Sequence, residues 1–303
     1  MRLLVTGAWQ SAKEYLEPLR KLGHEVVFQQ QEKDPLACPG DWVEGIICNG
    51  LFLHHDLEEF PNLRYLQLTS AGLDRIPLEA MREKGIEIHN ARGVFSIPMA
   101  EHALWGVLTL YRQGAAFLRQ QSDGKWKKRR GLKELFCSTV CIVGTGNVGA
   151  TCAERFRAFG CKVIGVNRTV RAAPAFDEVY PLTQLDEVLA CSDVVVLTIA
   201  LTEETRGVMN AARFAKMKPG AVLVNIARGA LVDDVALIDA LQDHLSGAVL
   251  DVFDPEPLSS DSLFWTMENV IVTPHNSFVG DGVAARLNEL VLKNLENYLE
   301  KLE

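Results

Sequence analysis

A chain of 303 residues, 48% hydrophobic and 23% charged, is long for a single hydrophobic core and ordinary in composition, so it reads as two globular domains. Its formal net charge of -8 gives no broad attraction to phosphate backbones or anionic lipid, and no apolar run approaches the roughly 18 residues of a spanning helix, so neither nucleic acid nor membrane is an expected partner. Seven cysteines, an odd number without a C-x-x-C pair or clustered histidines, point to reduced thiols in a cytoplasmic protein and to no metal site.

In chain order, "RLLVTGA" reads as a strand, "SAKEYLEPLRKLG" as a helix closed by glycine, and "HEVVFQ" as a second strand. The turn "TGAWQSA" has one glycine, too few for close approach to a phosphate, so this first domain is not expected to bind a nucleotide. "AEHALWGVLTLYRQGAAFLRQQ" carries apolar residues at helical spacing on more than one face and reads as one long interdomain or dimer-forming helix. The basic "SDGKWKKRRG" around Trp126 reads as a solvated loop, because no other basic cluster supports it. A second strand-helix-strand unit follows in "STVCIVGTG", "NVGATCAERFRAFG" and "CKVIGV". Strands "DVVVLTIA", "AVLVNIA", "GAVLDVF" and "VIVTPH" then alternate with the helical stretches "TQLDEVLA", "AARFAKM" and "DVALIDALQDH", and an amphipathic helix "GVAARLNELVLKNLENYLEKLE" ends the chain and is expected to return to the first domain. The alternation predicts an α/β protein of two Rossmann-like domains with doubly wound parallel sheets.

Gly144, Gly146 and Gly149 form G-x-G-x-x-G, with Thr145, Asn147 and Val148 between them, directly after an apolar strand and before a helical pattern. The first glycine permits the tight turn, the second lets backbone N–H groups approach a pyrophosphate, and the third lets helix pack on strand. The end of the next strand falls 18 to 20 residues beyond Gly149, where a carboxylate would bind the ribose 2'-hydroxyl of NAD, but it reads Asn167, Arg168, Thr169. A guanidinium pairs with a 2'-phosphate that a carboxylate would repel, and Asn and Thr can donate to the same phosphate. The expected cofactor is therefore NADP(H), with NAD(H) as the second choice.

Arg228 in "VLVNIARGALVD", Glu256 in "LDVFDPEPL" and His275 in "VIVTPHNS" lie past three strand ends, where an open α/β sheet forms its ligand crevice. Together they make an acid-base pair beside an anion clamp. At these residues the chain resembles the D-isomer-specific 2-hydroxyacid dehydrogenase family, whose motifs recur in order as "TSAGLDRI", "GVFSIPMAEHAL", "VGTGNVG", "CSDVVVLTIALTEETRGVMN", "MKPGAVLVNIARGALVD", "GAVLDVFDPEPL" and "TPHNS". The resemblance implies a catalytic set of Arg228, Glu256 and His275, a substrate carboxylate held by backbone near Ala71 and Gly72, cofactor contacts that include Ile199, Ala227 and Asp251, the last beside the nicotinamide carboxamide, and a homodimer. It also implies a flavodoxin-like substrate domain over residues 1–98, completed by a C-terminal helix over 284–303, and a dinucleotide-binding domain over 99–283. Ala200, Cys137, Ser138 and Asn276 depart from the family's usual residues.

These expectations make the chain a reductase of small 2-oxoacids. Arg228 would pair with the substrate carboxylate and polarise the C2 carbonyl, and His275, with Glu256 on its far ring nitrogen favouring the imidazolium, would protonate the oxygen as hydride reaches C2. "NRT" resembles the NADPH-using glyoxylate and hydroxypyruvate reductases of the family. The competing readings are a nucleotide-sensing regulatory scaffold like the C-terminal-binding corepressors, which keep the triad, and a formate dehydrogenase, which carries glutamine where this chain has Glu256. Leu51, Phe52, Leu53 and Phe95 are the residues expected to select the substrate side chain.

Overall fold

The structure, a computed structural model, describes residues 1–171 and 173–301. The last two residues of the expected terminal helix fall outside that range. The chain divides into two compact units, Met1–Phe95 with Gly280–Glu303, and Ser96–Val279.

The first unit is a parallel sheet of β1 (Arg2–Thr6), β2 (Glu25–Gln29), β3 (Gly45–Cys48), β4 (Tyr65–Leu68) and β5 (Glu87–His89) in the order β2-β1-β3-β4-β5. Both faces are buried: Leu3, Val5 and Ile47 point into one cluster, and Leu4, Ile46 and Cys48 into the other. Such strands read as unbroken apolar runs without alternation. The helix Val283–Glu300 presents Leu287, Val291, Leu295 and Tyr298 to the first of these clusters, a spacing that puts all four on one helical face. Polar contacts fix its register: Trp9 Nε1 donates to Asn288 Oδ1 at 2.7 Å, Asn294 Nδ2 to Gln67 Oε1 at 2.8 Å, and Arg286 Nε to the Val94 carbonyl at 2.8 Å.

The strand order of this unit reverses between β1 and β3, the place where doubly wound sheets take anionic ligands. The chain puts its own anion there. Glu32 accepts from Thr6 Oγ1 and from the Asn49 N–H, both at 2.7 Å, through Oε1, and from the Gly50 N–H at 2.7 Å through Oε2. A phosphate at that point would meet a carboxylate already holding the donors.

The second unit is a seven-stranded parallel sheet: β6 (Thr139–Val143), β7 (Lys162–Asn167), β8 (Glu178–Pro181), β9 (Val194–Leu197), β10 (Val222–Asn225), β11 (Gly247–Leu250) and β12 (Val270–Val272), ordered β12-β11-β10-β9-β6-β7-β8. Cys141, Val143, Val195 and Leu197 face one core, and Val140, Ile142, Val194 and Val196 the other. Crossovers run both ways from β6, so the crevice at its carboxyl end is the switch point, and the glycine-rich turn follows directly.

The single long helix expected over 100–121 is two helices, Ser96–Tyr111 and Gly114–Ser122. Gln113 between them adopts a left-handed conformation with φ 52°, which ends the first helix and re-aims the second. No helix among the described residues is long and apolar enough to cross a membrane. Trp126 is fully exposed in its basic loop, as a solvated segment would have it.

Asp234 opens the helix Asp234–Asp243 behind the cap Asp233, whose side chain accepts from the Ala236 N–H. Burial, then the like charges of Asp233 and Asp254, push the Asp234 carboxyl up to about 6. An acid held protonated longer in the native state than in the unfolded chain costs stability as pH rises through the interval from about 4 to 6, and the cost persists above it. Since the side chain is only half-buried, solvent screening cuts this to about 1 kcal/mol. Asp234→Asn is therefore expected to raise unfolding free energy by about 1 kcal/mol at pH 7 and by nothing near pH 4. Urea titrations of both proteins at the two pH values check it, and an equal gain at both would refute the charge explanation.

Candidate active site

The glycine turn is built from two kinds of constraint. Gly144 has φ 111°, and a Cβ there would lie 2.7 Å from the Ile199 nitrogen and 2.8 Å from Thr198 Oγ1. A Cβ on Gly149 would fall 1.9 Å from the Gly144 carbonyl oxygen. These two glycines are thus demanded by the protein's own packing. Gly146 differs: a Cβ there would meet no protein atom within 4 Å, while its residue caps the helix Asn147–Ala158. An open approach to the N-terminus of a twelve-residue helix is the geometry that a pyrophosphate needs. Thr198, which the sequence reading passed over, holds the turn by donating from Oγ1 to the Gly144 carbonyl at 2.8 Å.

At the end of β7, Asn167 Nδ2 donates to Thr145 Oγ1 at 2.9 Å, and the Asn167 side-chain oxygen accepts the Arg168 N–H at 3.0 Å. Asn167 thereby ties its strand end to the glycine turn. Arg168 extends outward with 72% of its side chain exposed, 4.0 Å from the Glu204 carboxylate. Thr169 beside it is exposed.

Three neighbouring strands of this unit carry the polar set at their carboxyl ends. Arg228 follows β10, is half-buried, and donates from Nη1 to the Ala227 carbonyl at 2.8 Å, while its own carbonyl accepts from Asn225 Nδ2 at 2.9 Å. The following residue is glycine because a Cβ at Gly229 would lie 2.0 Å from the Phe253 carbonyl carbon, so the Arg228 turn rests on the segment leading to Glu256. Glu256, after β11, receives the Phe253 N–H on Oε1 at 3.1 Å and meets His275 Nδ1 with Oε2 at 2.8 Å. His275, after β12, leaves Nε2 as its second ring nitrogen, and its ring meets Phe278 edge to face at 5.8 Å. The structure therefore brings Glu256 and His275 into direct contact and sets Arg228 one strand away. Arg228 and His275 sit at intermediate exposure, open enough to meet a small molecule.

The histidine is held in an unusual backbone state, φ 51°. Asp251, fully buried at the end of β11, accepts the Asn276 N–H at 2.8 Å on Oδ1 and the Ser277 N–H at 2.9 Å on Oδ2, and its carbonyl accepts the His275 N–H at 2.7 Å. The Asp251 carboxylate thus faces the turn that carries His275. Ala227 is buried beside Arg228, and Ile199 lies next to the Gly144 turn.

In the first unit, Ala71 and Gly72 follow β4 in a turn pinned by Asn90 Nδ2 donating to the Ala71 carbonyl at 2.7 Å and by Ser70 Oγ donating to the Gly72 carbonyl at 3.2 Å. Of the residues expected to select a substrate side chain, Leu51 is fully buried in the core and has no surface to offer, whereas Leu53 is 60% exposed. Phe52 packs edge to face on Phe60 at 5.8 Å, and Phe95 is half-buried.

Two parallel-sheet α/β units, one with a glycine-rich turn at its switch point and a histidine-carboxylate contact at adjacent strand ends, give the architecture of a dinucleotide-dependent oxidoreductase. Residues 104–277 match the D-isomer specific 2-hydroxyacid dehydrogenase NAD binding domain. The chain is 36% identical over 251 residues to the glyoxylate reductase of Pyrococcus furiosus, covering 78% of this chain and 73% of that one. It superposes on the solved structure of a glyoxylate reductase from Paecilomyes thermophila with a TM-score of 0.87 at 28% identity, over 100% of this chain and 96% of that one. A D-isomer specific 2-hydroxyacid dehydrogenase from Xanthobacter autotrophicus Py2, in complex with NADPH and MES, gives a TM-score of 0.76 at 30% identity, over 95% and 92%. The chain belongs to the D-isomer specific 2-hydroxyacid dehydrogenase family. It is a nicotinamide-dependent oxidoreductase acting on the CH–OH group of 2-hydroxyacids and on the corresponding 2-oxoacids.

Proposed function

We propose that this protein reduces a small 2-oxoacid with NADPH, using His275 as the proton donor. The observation that carries the reading is the 2.8 Å contact of His275 Nδ1 with Glu256, which leaves Nε2 for substrate, beside the half-buried Arg228 of the neighbouring strand end. The residues fit the cofactor: Gly144, Thr145, Gly146, Asn147, Val148 and Gly149 would hold the pyrophosphate, Arg168 with Asn167 and Thr169 would hold the 2'-phosphate, and Ile199 and Ala227 would serve the nicotinamide end. Bound there, NADPH supplies the hydride that C2 of the oxoacid accepts. Arg228 binds the substrate carboxylate and draws electron density from the C2 carbonyl. As C2 gains the electron pair, the oxygen takes the Nε2 proton of His275, which ends neutral. Glu256 holds the ring orientation through its contact with Nδ1.

The NADPH preference rests on the absence of a carboxylate at Asn167 and the outward Arg168, and the NADPH complex of the Xanthobacter relative agrees with it. The reductive direction draws on the glyoxylate reductases among the relatives. We assign the chain a cytoplasmic homodimer, with Trp105, Phe117 and Leu118, apolar yet 40 to 67% exposed, as the face between copies. A steady-state panel in which glyoxylate, hydroxypyruvate, pyruvate and branched 2-oxoacids are offered with NADPH and NADH tests the whole reading; no turnover of any 2-oxoacid would refute it.

Glu256→Gln keeps the side-chain volume and removes the charge. The charge-assisted contact that holds the His275 ring by Nδ1 then becomes a neutral one, so the reductive rate is expected to fall by about 10-fold or more. A kcat within two-fold of the wild type would remove Glu256 from this role.

A further inference from the structure

We infer that Thr273 and His102 are positioning residues for the proton donor, acting through Asp251. The inference rests on the reading of His275 given above. Thr273 Oγ1 lies 2.6 Å from Asp251 Oδ1 and 3.2 Å from His102 Nε2. Because a carboxylate only accepts, the Thr273 hydrogen goes to Asp251, and the Thr273 oxygen must then accept from His102. That fixes His102 as the tautomer with hydrogen on Nε2. Burial holds the His102 ring below its ordinary pKa, so it donates in this neutral form near neutrality. The hydrogen bonds run in one direction: His102 to Thr273, Thr273 to Asp251 Oδ1, with the Asn276 N–H donating to the same oxygen and the Ser277 N–H to Oδ2.

The arrangement meets a specific need. His275 sits at φ 51°, a left-handed state that a residue with a Cβ resists, and the residues flanking it on both sides, Thr273 before and Asn276 and Ser277 after, are all tied to Asp251. The carboxylate acts as a hub around which the 273–277 turn closes. Removing the Thr273 hydroxyl takes one donor from a fully buried charge and one acceptor from His102, and the slack falls on the residue two positions before the active imidazole. His102 reaches this hub from the helix Ser96–Tyr111, where its ring lies 5.2 Å from that of Trp105. The helix is thereby coupled to the catalytic turn by a directed bond.

The test compares isosteric and polar replacements at both positions. Thr273→Val is expected to lower kcat by about 10-fold or more while KM for NADPH moves by less than about two-fold, and Thr273→Ser, which restores the hydroxyl, is expected to recover kcat to within about three-fold of wild type. His102→Leu should lower kcat in the same sense, and His102→Gln, whose amide can donate to Thr273, should recover part of it. A Thr273→Val enzyme with kcat within two-fold of wild type, or Thr273→Val and Thr273→Ser enzymes equally impaired, would overturn the inference. If Thr273→Val does not fold, the His102 pair decides, and equal kcat for Leu and Gln overturns it. A His275→Ala enzyme that kept its rate would sink the reading of His275 itself, whereas an inactive His275→Ala beside a fully active Thr273→Val would sink only the present inference.

Discussion

His275→Ala is expected to lower kcat for 2-oxoacid reduction by about 100-fold or more, the scale of a lost general acid. Substrate carboxylate binding is assigned to Arg228 and cofactor binding to the glycine turn and the β7 end, so KM for NADPH should change little. The ring is 37% exposed, so truncation should leave the fold intact, which the thermal midpoint checks. The Glu256 carboxylate also keeps a donor of its own in the Phe253 N–H and is not orphaned by the change. Retention of near wild-type kcat would place the proton donor elsewhere.

Arg168→Ala is expected to reduce kcat/KM for NADPH and leave NADH nearly untouched. A hydrogen bond to a charged group is worth about 1.5 to 3 kcal/mol, a range of roughly 10- to 150-fold in the preference ratio. The 72% exposure of the side chain puts the expected loss at the lower end, about 10-fold, and it should shrink further at high salt. Glu204, 4.0 Å from the guanidinium, repels the same phosphate and competes for Arg168, so removing the arginine also leaves that carboxylate uncompensated toward NADPH. Equal weakening of both cofactors, or a wild type that favours NADH, would end the NADPH assignment.

What is legible in the sequence follows from which signals are local. The strands of the second unit were legible because both faces of the sheet are buried, which forces runs such as Val194–Leu197 to be apolar throughout. The edge strand Glu178–Pro181 was missed, since one side lacks a partner strand and its sequence carries Glu178 and Pro181 instead of an apolar run. The helix break at Gln113 was also missed: helical periodicity persists across it, and left-handed backbone at a glutamine has no compositional mark. Polar residues that interrupt apolar strand ends made Arg228, Glu256 and His275 conspicuous. The hub at Asp251 was not, because it depends on two backbone N–H groups and a φ of 51°, neither of which a side-chain pattern encodes. Thr273 and His102 lay inside motifs already noticed, yet their pairing spans 171 positions.

The first unit is assembled from the two ends of the chain, with the second unit spliced between Phe95 and Gly280. On a ribosome, which releases the chain from its N-terminus, every residue of the second unit has emerged before the helix Val283–Glu300 exists. Maturation order and sequence order therefore disagree: the later domain can mature first, while Leu3, Val5 and Ile47 wait for Leu287, Val291 and Leu295 to cover them. During that wait the nascent protein exposes a greasy sheet face that its finished form conceals, and the helix Val283–Glu300 acts as the closing clasp of the domain begun first.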